Sequence, residues 1–364
     1  MIILDVILKQ VYGFDDFHLN LSYPRKLSTS LLGSETLIGR DRFRYKKAII
    51  LMGTNAAGKT SLGKALLTIF RSVREANEAV LRDLVSGETP ARFQVDFVNE
   101  GYVLHRLSGT VEQDSVTFHC YSADIAEMDS YEMAAAKLRD QTEKLNGSFR
   151  QLRKSVGALD YRFAYPEIEK SLNVSGIDQK ELLRTLRAVI GTLDPTLTDI
   201  SIARDLKDSF VIRRRGAEII IQDGKLLNRD LLSSGTAEGI SAAVFLASML
   251  SAKDCFYYCD DLCSDIESSI EKRIFGLMAE RLQGDSQLIF TTHNTDMLNL
   301  NLPKHTFAFL RKNMDAGKYI VSVTFASDIL KRNTDSIKCA MENDLFCSLP
   351  DTALLDSLEV DANV

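Results

Sequence analysis

Residues 53–60 read Gly53-Thr54-Asn55-Ala56-Ala57-Gly58-Lys59-Thr60, the G-x-x-x-x-G-K-T pattern of the Walker A phosphate loop. No other stretch constrains the fold so tightly, because this chemistry needs a strand before the loop and a helix after it. Both are readable. Ala48-Ile49-Ile50-Leu51-Met52 is an apolar run of strand length, and after Thr60 the residues Leu62, Leu66, Leu67 and Phe70 recur at helical spacing. Backbone N–H groups of such a turn converge on a phosphate chain at the helix N-terminus. Gly58 lets the backbone wrap closely. Lys59 is expected to reach the β- and γ-phosphates, and the Thr60 hydroxyl to hold Mg²⁺. Gly53, Thr54, Asn55, Ala56, Ala57, Gly58, Lys59, Thr60 and Ser61 are thus the expected ATP-binding set. An ordinary glycine turn before a helix would not need every fixed position to match.

Composition sets the bounds around this loop. The 364 residues suffice for one large domain or two, with 45% apolar and 26% charged residues. A net charge of −6 argues against a broad nucleic-acid-binding surface, though not against a local basic patch. Six scattered cysteines suit a reducing cytoplasm better than a disulfide framework. Met1-Ile2-Ile3-Leu4 soon meets Asp5 and Lys9, so no signal peptide is expected. No uncharged apolar run approaches membrane-spanning length, and no membrane contact is expected.

Along the chain, residues 1–30 alternate apolar and polar and read as two strands of an antiparallel hairpin turning near Gly13-Phe14-Asp15-Asp16. Residues 31–45 read as a loop. The phosphate-loop helix is expected to run to about Leu84, before the breaker Ser86-Gly87-Glu88-Thr89-Pro90. Strands are expected at Phe93–Val98, Tyr102–Leu107 and Val116–Tyr121. Gln94 is a candidate link between Mg²⁺ and an attacking water, but a plain strand residue is the simpler reading. From about Asp124 to Ile190 the pattern turns helical and lacks sustained heptads. Strands return at Ile200–Ala203, Ser209–Arg213 and Ala217–Gln222, with Arg213-Arg214-Arg215-Gly216 as a basic hairpin tip. Such a tip either touches phosphate or is a solvated turn.

A second constellation lies in the C-terminal half. Leu232-Ser233-Ser234-Gly235-Thr236 precedes an apolar helix and offers hydroxyl and amide donors to an anion; by itself it is equally an ordinary cap. Cys255-Phe256-Tyr257-Tyr258-Cys259-Asp260-Asp261 reads as a strand ending in paired carboxylates, the Walker B arrangement. Asp260 is expected to hold Mg²⁺, and Asp261 to orient or deprotonate the attacking water. Ser264-Asp265 falls where a dimer-contact loop belongs. Gln287-Leu288-Ile289-Phe290-Thr291-Thr292-His293 is a further strand whose terminal His293 is placed to contact the γ-phosphate. Cys255, Cys259 and Cys263 recur every fourth residue. That spacing suits a metal site on a helix, but the first two lie on the expected strand, so buried thiols are the better reading.

The order of these motifs resembles the ABC-type ATPase head, and more narrowly the SMC/RecF/OLD group. Leu232-Ser233-Ser234-Gly235-Thr236, Ile289 to Thr295, Leu193-Asp194-Pro195 and the tail (Leu330-Lys331-Arg332-Asn333, Ser336-Ile337-Lys338, Leu349-Pro350) resemble the bacterial "AAA family" ATPases of abortive-infection and other anti-phage systems. The resemblance implies an α/β P-loop NTPase with a mixed sheet, an antiparallel β-subdomain and a helical insertion between Walker A and the signature. The corresponding boundaries are an N-terminal lobe 1–122, a helical insertion 123–192, a C-terminal lobe 193–350 and a tail 351–364. It also implies that two heads sandwich two ATP molecules. One copy would supply Walker A, and the other would supply Ser233, Ser234 and Gly235 in trans. Lys59, Asp261 and His293 would be the catalytic set, and Thr60 and Asp260 the Mg²⁺ ligands.

One departure matters. The second carboxylate is usually glutamate in this group, and here it is Asp261, one methylene shorter. Misplacing a base on that scale costs on the order of a hundredfold in rate, so slow hydrolysis and switch-like behaviour are expected. The loop Leu262-Cys263-Ser264-Asp265-Ile266-Glu267 also lacks the proline and histidine often present there.

The resulting expectation is a cytoplasmic, ATP-gated head, assembled as a homodimer or as dimers of dimers. It would sense infection and regulate a separate effector protein, since no nuclease-like carboxylate cluster stands apart from Walker B. The alternative is a RecF/SMC-like DNA-repair head, with nucleic acid as its partner. The nucleotide-binding subunit of a membrane transporter is a third reading. The long spacing from Walker A to the signature and the N-terminal hairpin weigh against it.

Overall fold

The computed structural model describes all residues except 26–31, 166–171, 173, 175, 198, 204–208, 215–216, 223, 316–317, 333 and 347–364. Asn333, Leu349, Pro350, Arg215, Gly216 and the tail 351–364, which figured in the sequence reading, lie outside the described residues.

The phosphate-loop strand Ala48–Gly53 is buried at every position. It lies inside a six-stranded mixed sheet ordered Tyr161–Ala164, Phe256–Asp260, Gln287–Thr291, Ala48–Gly53, Phe307–Asp315, Lys318–Phe325. The first five strands are parallel and the last is antiparallel. A strand buried on both faces reads as a continuous apolar run rather than an alternating one. Ile49 and Leu51 face one core, while Ile50 and Met52 face the other.

The first of these cores holds Leu62, Leu66, Ile69 and Phe70 of the phosphate-loop helix, Lys59–Glu75. Above it lies a second, antiparallel sheet ordered Phe17–Asn20, Ile2–Lys9, Ala91–Val98, Val103–Val111, Val116–Asp124, Arg139–Asp140. Val6, Leu8, Phe93, Val95 and Phe97 point down from it into the same core. On the other side of the mixed sheet pack the helices Gln179–Leu193, Ser234–Ser251 and Ser268–Glu280. A four-stranded antiparallel meander, Asp199–Ile202, Ser209–Arg214, Ala217–Gln222 and Lys225–Leu227, completes that side. The mixed sheet and the antiparallel subdomain are therefore both present.

Several local expectations change. Residues 31–45 include a short antiparallel pair, Thr36–Leu37 with Arg40–Arg44. The phosphate-loop helix stops at Glu75 because Ala76 adopts φ +53, and Asn77 then caps a separate 3-10 segment, Glu78–Leu84. The stretch 123–192 has the short helices Tyr131–Ala135 and Phe149–Val156 and the longer Gln179–Leu193. It also contributes Tyr161–Ala164 as the edge strand of the mixed sheet, paired in parallel with Phe256–Cys259. A four-residue strand of this kind is decided by its neighbour rather than by its own pattern. Gln94 sits in mid-strand opposite Ile7 and Ser108. Arg213, within the strand Ser209–Arg214, is engaged by Asp199 at 2.7 Å and Glu218 at 3.1 Å.

The antiparallel sheet carries a pH-sensitive position. His105 is 3% exposed and stacks on Phe97 at 5.4 Å, and its Nδ1 has no partner among the described residues. Burial pushes its pKa down from 6.5 to about 4. Between those values only the unfolded chain binds the proton, so stability is complete above pH 6.5 and falls as the pH drops toward 4. The loss from this one group is about 2 kcal/mol by pH 5. His105→Phe keeps the stacking and is expected to flatten the decline in denaturation free energy between pH 7 and pH 5. An unchanged slope would exclude His105 as its source.

Candidate nucleotide-binding site

The parallel strands place Gly53, Asp260 and Thr291 at neighbouring C-terminal ends, since Asp260 pairs with Thr291 and Gly53 ends the adjacent strand. In open α/β sheets this is the edge at which ligands bind. The phosphate loop turns there through two left-handed residues, Ala56 at φ +62 and Gly58 at φ +107. A Cβ on Gly58 would also come within 3.0 Å of the Phe14 ring, so conformation and packing both require glycine. Ala57 N donates to Thr54 O at 3.2 Å, which closes the turn. Lys59 is buried, and its Nζ donates to Gly53 O at 2.9 Å and Thr54 O at 3.3 Å. Burial lowers its pKa, and the nearby Asp261 and Asp260 carboxylates oppose the shift.

The carboxylate strand is locked to the phosphate-loop helix. Tyr258 Oη donates to Lys59 O at 2.5 Å, and its ring lies where a Cβ on Gly63 would otherwise be. Asp260 is buried and accepts from Thr60 Oγ1 at 2.6 Å and from Thr291 Oγ1 at 2.9 Å. Burial raises its pKa, and the two hydroxyl donors oppose the shift. A buried carboxylate beside a hydroxyl is an all-oxygen set that fits Mg²⁺, which usually keeps waters and phosphate oxygens as its remaining ligands. Asp261 has φ +46, and its backbone N–H donates to Thr291 Oγ1 at 2.9 Å.

His293 reaches the same point. Its Nε2 lies 3.0 Å from Lys59 Nζ and 3.8 Å from Asp261 Oδ2. Burial and the Lys59 charge lower its pKa, with the two aspartates opposing. Facing an ammonium, Nε2 is the acceptor of a neutral ring whose proton sits on Nδ1. The structure therefore brings Lys59, Thr60, Asp260, Asp261 and His293 to one point at the ends of the parallel strands.

Ser233 and Ser234 are exposed at the start of helix Ser234–Ser251. Ser233 Oγ caps the helix by accepting from Thr236 N at 3.2 Å, and it shares a second bond with Thr236 Oγ1 at 2.8 Å. Gly235 is needed for a reason the sequence does not show. A Cβ there would stand 2.6 Å from Asp265 O, so the loop Ser264-Asp265 packs directly on the turn that opens helix Ser234–Ser251. Glu238, one turn on, fastens that loop by accepting from Ser264 Oγ and Asp265 N, each at 2.7 Å.

Cys255, Cys259 and Cys263 are buried, and burial raises all three thiol pKa values. The buried-thiol reading is the one the packing supports. Sequence reasoning missed Tyr258, Thr291, Glu238 and Glu271. Glu271 did leave a signal, because with Ile274, Phe275 and Met278 it occupies the apolar stripe of helix Ser268–Glu280. A carboxylate on such a stripe needs buried partners.

No protein-family model matches the chain, and no curated protein does. Solved structures do match. The SMC head bound to the C-winged helix domain of ScpA aligns with a TM-score of 0.51 at 14% identity, over 94% of this chain and 100% of that one. The fold is that of an ABC-type ATPase head. Two further matches have lower scores. The SMC head domain from Thermotoga maritima has a TM-score of 0.45 at 13% identity, over 89% of this chain and 99% of that one. The recombination mediator protein RecF has 0.42 at 8%, over 88% and 98%. At 14% identity the likeness to the first of these is one of architecture alone.

Proposed function

We propose that the chain is an ATP-binding and ATP-hydrolysing head that closes as a dimer around two nucleotides and works as a switch for a separate effector protein in anti-phage defence. The observation that carries the ATPase reading is the convergence of Lys59, Thr60, Asp260, Asp261 and His293 at the end of one phosphate loop. The loop amides and Lys59 would take the phosphate chain. Thr60 and Asp260 would hold Mg²⁺, which would draw charge from the β- and γ-phosphate oxygens. Asp261 would orient and deprotonate the attacking water, and His293 would contact the terminal phosphate. Ser233, Ser234 and Gly235 of the second copy would close the pocket. ATP would then favour the closed dimer only through contacts that the open state lacks.

The defence role rests on the likeness of the signature, Thr-Thr-His and tail motifs to the abortive-infection group. A DNA-maintenance head is the competing reading, since this fold is shared with an SMC head. ATP-dependent, salt-sensitive DNA binding would favour that second role. Among the described residues no helix is long and apolar enough to cross a membrane.

The trans-acting signature supplies the test. Ser233→Arg is expected to leave ATP affinity within about threefold of the wild type, while abolishing the ATP-induced shift from monomer to dimer in sizing experiments. Loss of the cap should cost about 1 kcal/mol, small enough for the variant to remain folded. A variant that still dimerises with ATP would overturn the split-pocket arrangement.

A further inference from the structure

Glu271 lies outside the expected catalytic set, yet both of its oxygens are committed to the turn that carries His293. It is 5% exposed, in the first turn of helix Ser268–Glu280. Thr292 Oγ1 donates to Glu271 Oε1 at 2.6 Å, and Asn294 Nδ2 donates to Oε2 at 2.7 Å. One buried carboxylate thereby grips the residues immediately before and after His293. The turn is braced further by Asn294 N donating to Thr292 Oγ1 at 2.9 Å and by Ser268 Oγ donating to Asn294 Oδ1 at 2.7 Å. Placing a carboxylate in a core is costly unless each oxygen is paired, and here each is. Burial raises the Glu271 pKa, and the two donors oppose that shift.

The helix that carries Glu271 begins just after the loop that Glu238 fastens to the signature helix. Hydrogen bonds and the backbone between them therefore lead from Glu238 through Ser264-Asp265 and the Ser268–Glu280 helix to Thr292 and Asn294, and from the adjoining His293 to Lys59. An open cavity of about 320 Å³ beside it is lined by Asp261, Ser264, Ser268, Glu271 and His293, among others.

We propose that Glu271 is a positioning residue. It sets His293 against Lys59 and the terminal phosphate, and it ties that setting to the signature helix of the same chain. This rests on the ATPase reading above. It deepens that reading by adding an internal link between the face that meets the second copy and the residue that meets the phosphate. His293 alone, at the end of a strand and exposed, would have no fixed distance to Lys59; the clamp supplies it.

The test uses the full chain and Glu271→Gln, which keeps the volume. The glutamine side chain can still accept from Thr292, but its amide faces the Asn294 amide donor to donor. In nucleotide-free protein, amide exchange across residues 291–295 is expected to speed up by about tenfold, the loss of one buried charged hydrogen bond. With ATP, kcat is expected to fall by about tenfold or more while KM stays within about twofold, as for an interaction made in the transition state. The double variant Glu271→Gln with Asn294→Asp restores the bond with its direction reversed, and most of the lost kcat should return. Unchanged exchange in Glu271→Gln would overturn the clamp. So would a KM that rises while kcat holds, or a double variant no better than the single one. The exchange measurement does not depend on turnover. If the wild type fails to hydrolyse ATP, the ATPase reading falls, while exchange still decides whether Glu271 holds the His293 turn.

Discussion

Lys59→Ala is expected to lower ATP affinity by about a hundredfold or more, while the nucleotide-free protein melts within a few degrees of the wild type. The first half follows from charge. A buried ammonium in a phosphate loop makes charge-assisted hydrogen bonds, each worth about 1.5–3 kcal/mol, and two such bonds account for about a hundredfold in affinity. The second half follows from what Lys59 does within the chain itself. It is 7% exposed and depressed in pKa by burial, so keeping it charged costs the fold something. Its removal takes away the donor that met the Gly53 carbonyl at 2.9 Å, and leaves the Thr54 carbonyl, met at 3.3 Å, with its remaining donor Ala57 N. The exposed neighbours Asn55 and Ala56 leave the loop open to water, which can take over part of that bonding. Gain and loss therefore nearly offset. Calorimetric titration with ATP, beside a thermal melt without it, separates the two halves. An affinity within about threefold of the wild type would show that Lys59 does not face the phosphates.

The loop was legible because every part of it is local: a strand, two left-handed residues and a helix within thirty positions. The mixed sheet was legible at its centre for a related reason. Its inner strands are apolar on both faces, so Ala48–Gly53, Phe256–Asp260 and Gln287–Thr291 stand out as unbroken runs. Its edge was not. Tyr161–Ala164 is four residues long with two half-buried positions, and it becomes a strand only beside Phe256–Cys259. Arg40–Arg44 is worse disguised, since Phe43 alone of its five residues is buried. The helix end at Glu75 was hidden by Ala76, whose intrinsic preference is for helix but which here takes φ +53. Asn77, a good cap, was the clue available. At the site, the residues that touch the ligand in the proposed chemistry were readable from motif order. Those that hold them, Thr291, Glu238 and Glu271, depend on bonds spanning 21 to 31 positions, and no local pattern encodes these.

Asp261→Asn is expected to slow ATP hydrolysis by about a hundredfold to ten-thousandfold, the usual range for removing a general base, while ATP affinity stays the same or rises. The substitution is unusually clean at this position. Asp261 holds φ +46, a conformation that asparagine tolerates as well as aspartate, so the backbone pays no penalty. Its N–H remains bonded to Thr291 Oγ1 at 2.9 Å, and the side chain keeps its size beside His293. What changes is the charge and one acceptor oxygen, which becomes an amide donor. A negative group is also removed from beside Asp260, and later from the phosphates, so binding should not suffer. With hydrolysis blocked and binding intact, ATP-closed dimers should accumulate, and sizing in ATP should show a dimer that persists long after the wild type has reopened. The same left-handed backbone offers a physical reason for an aspartate where the resembling group has glutamate, because short Asp and Asn side chains are enriched at positive φ. Under the proposed function, the shorter reach predicts a slow switch rather than a motor. Turnover in Asp261→Asn within about threefold of the wild type would remove Asp261 from the role of base and leave His293, 3.8 Å from it, as the group to test next.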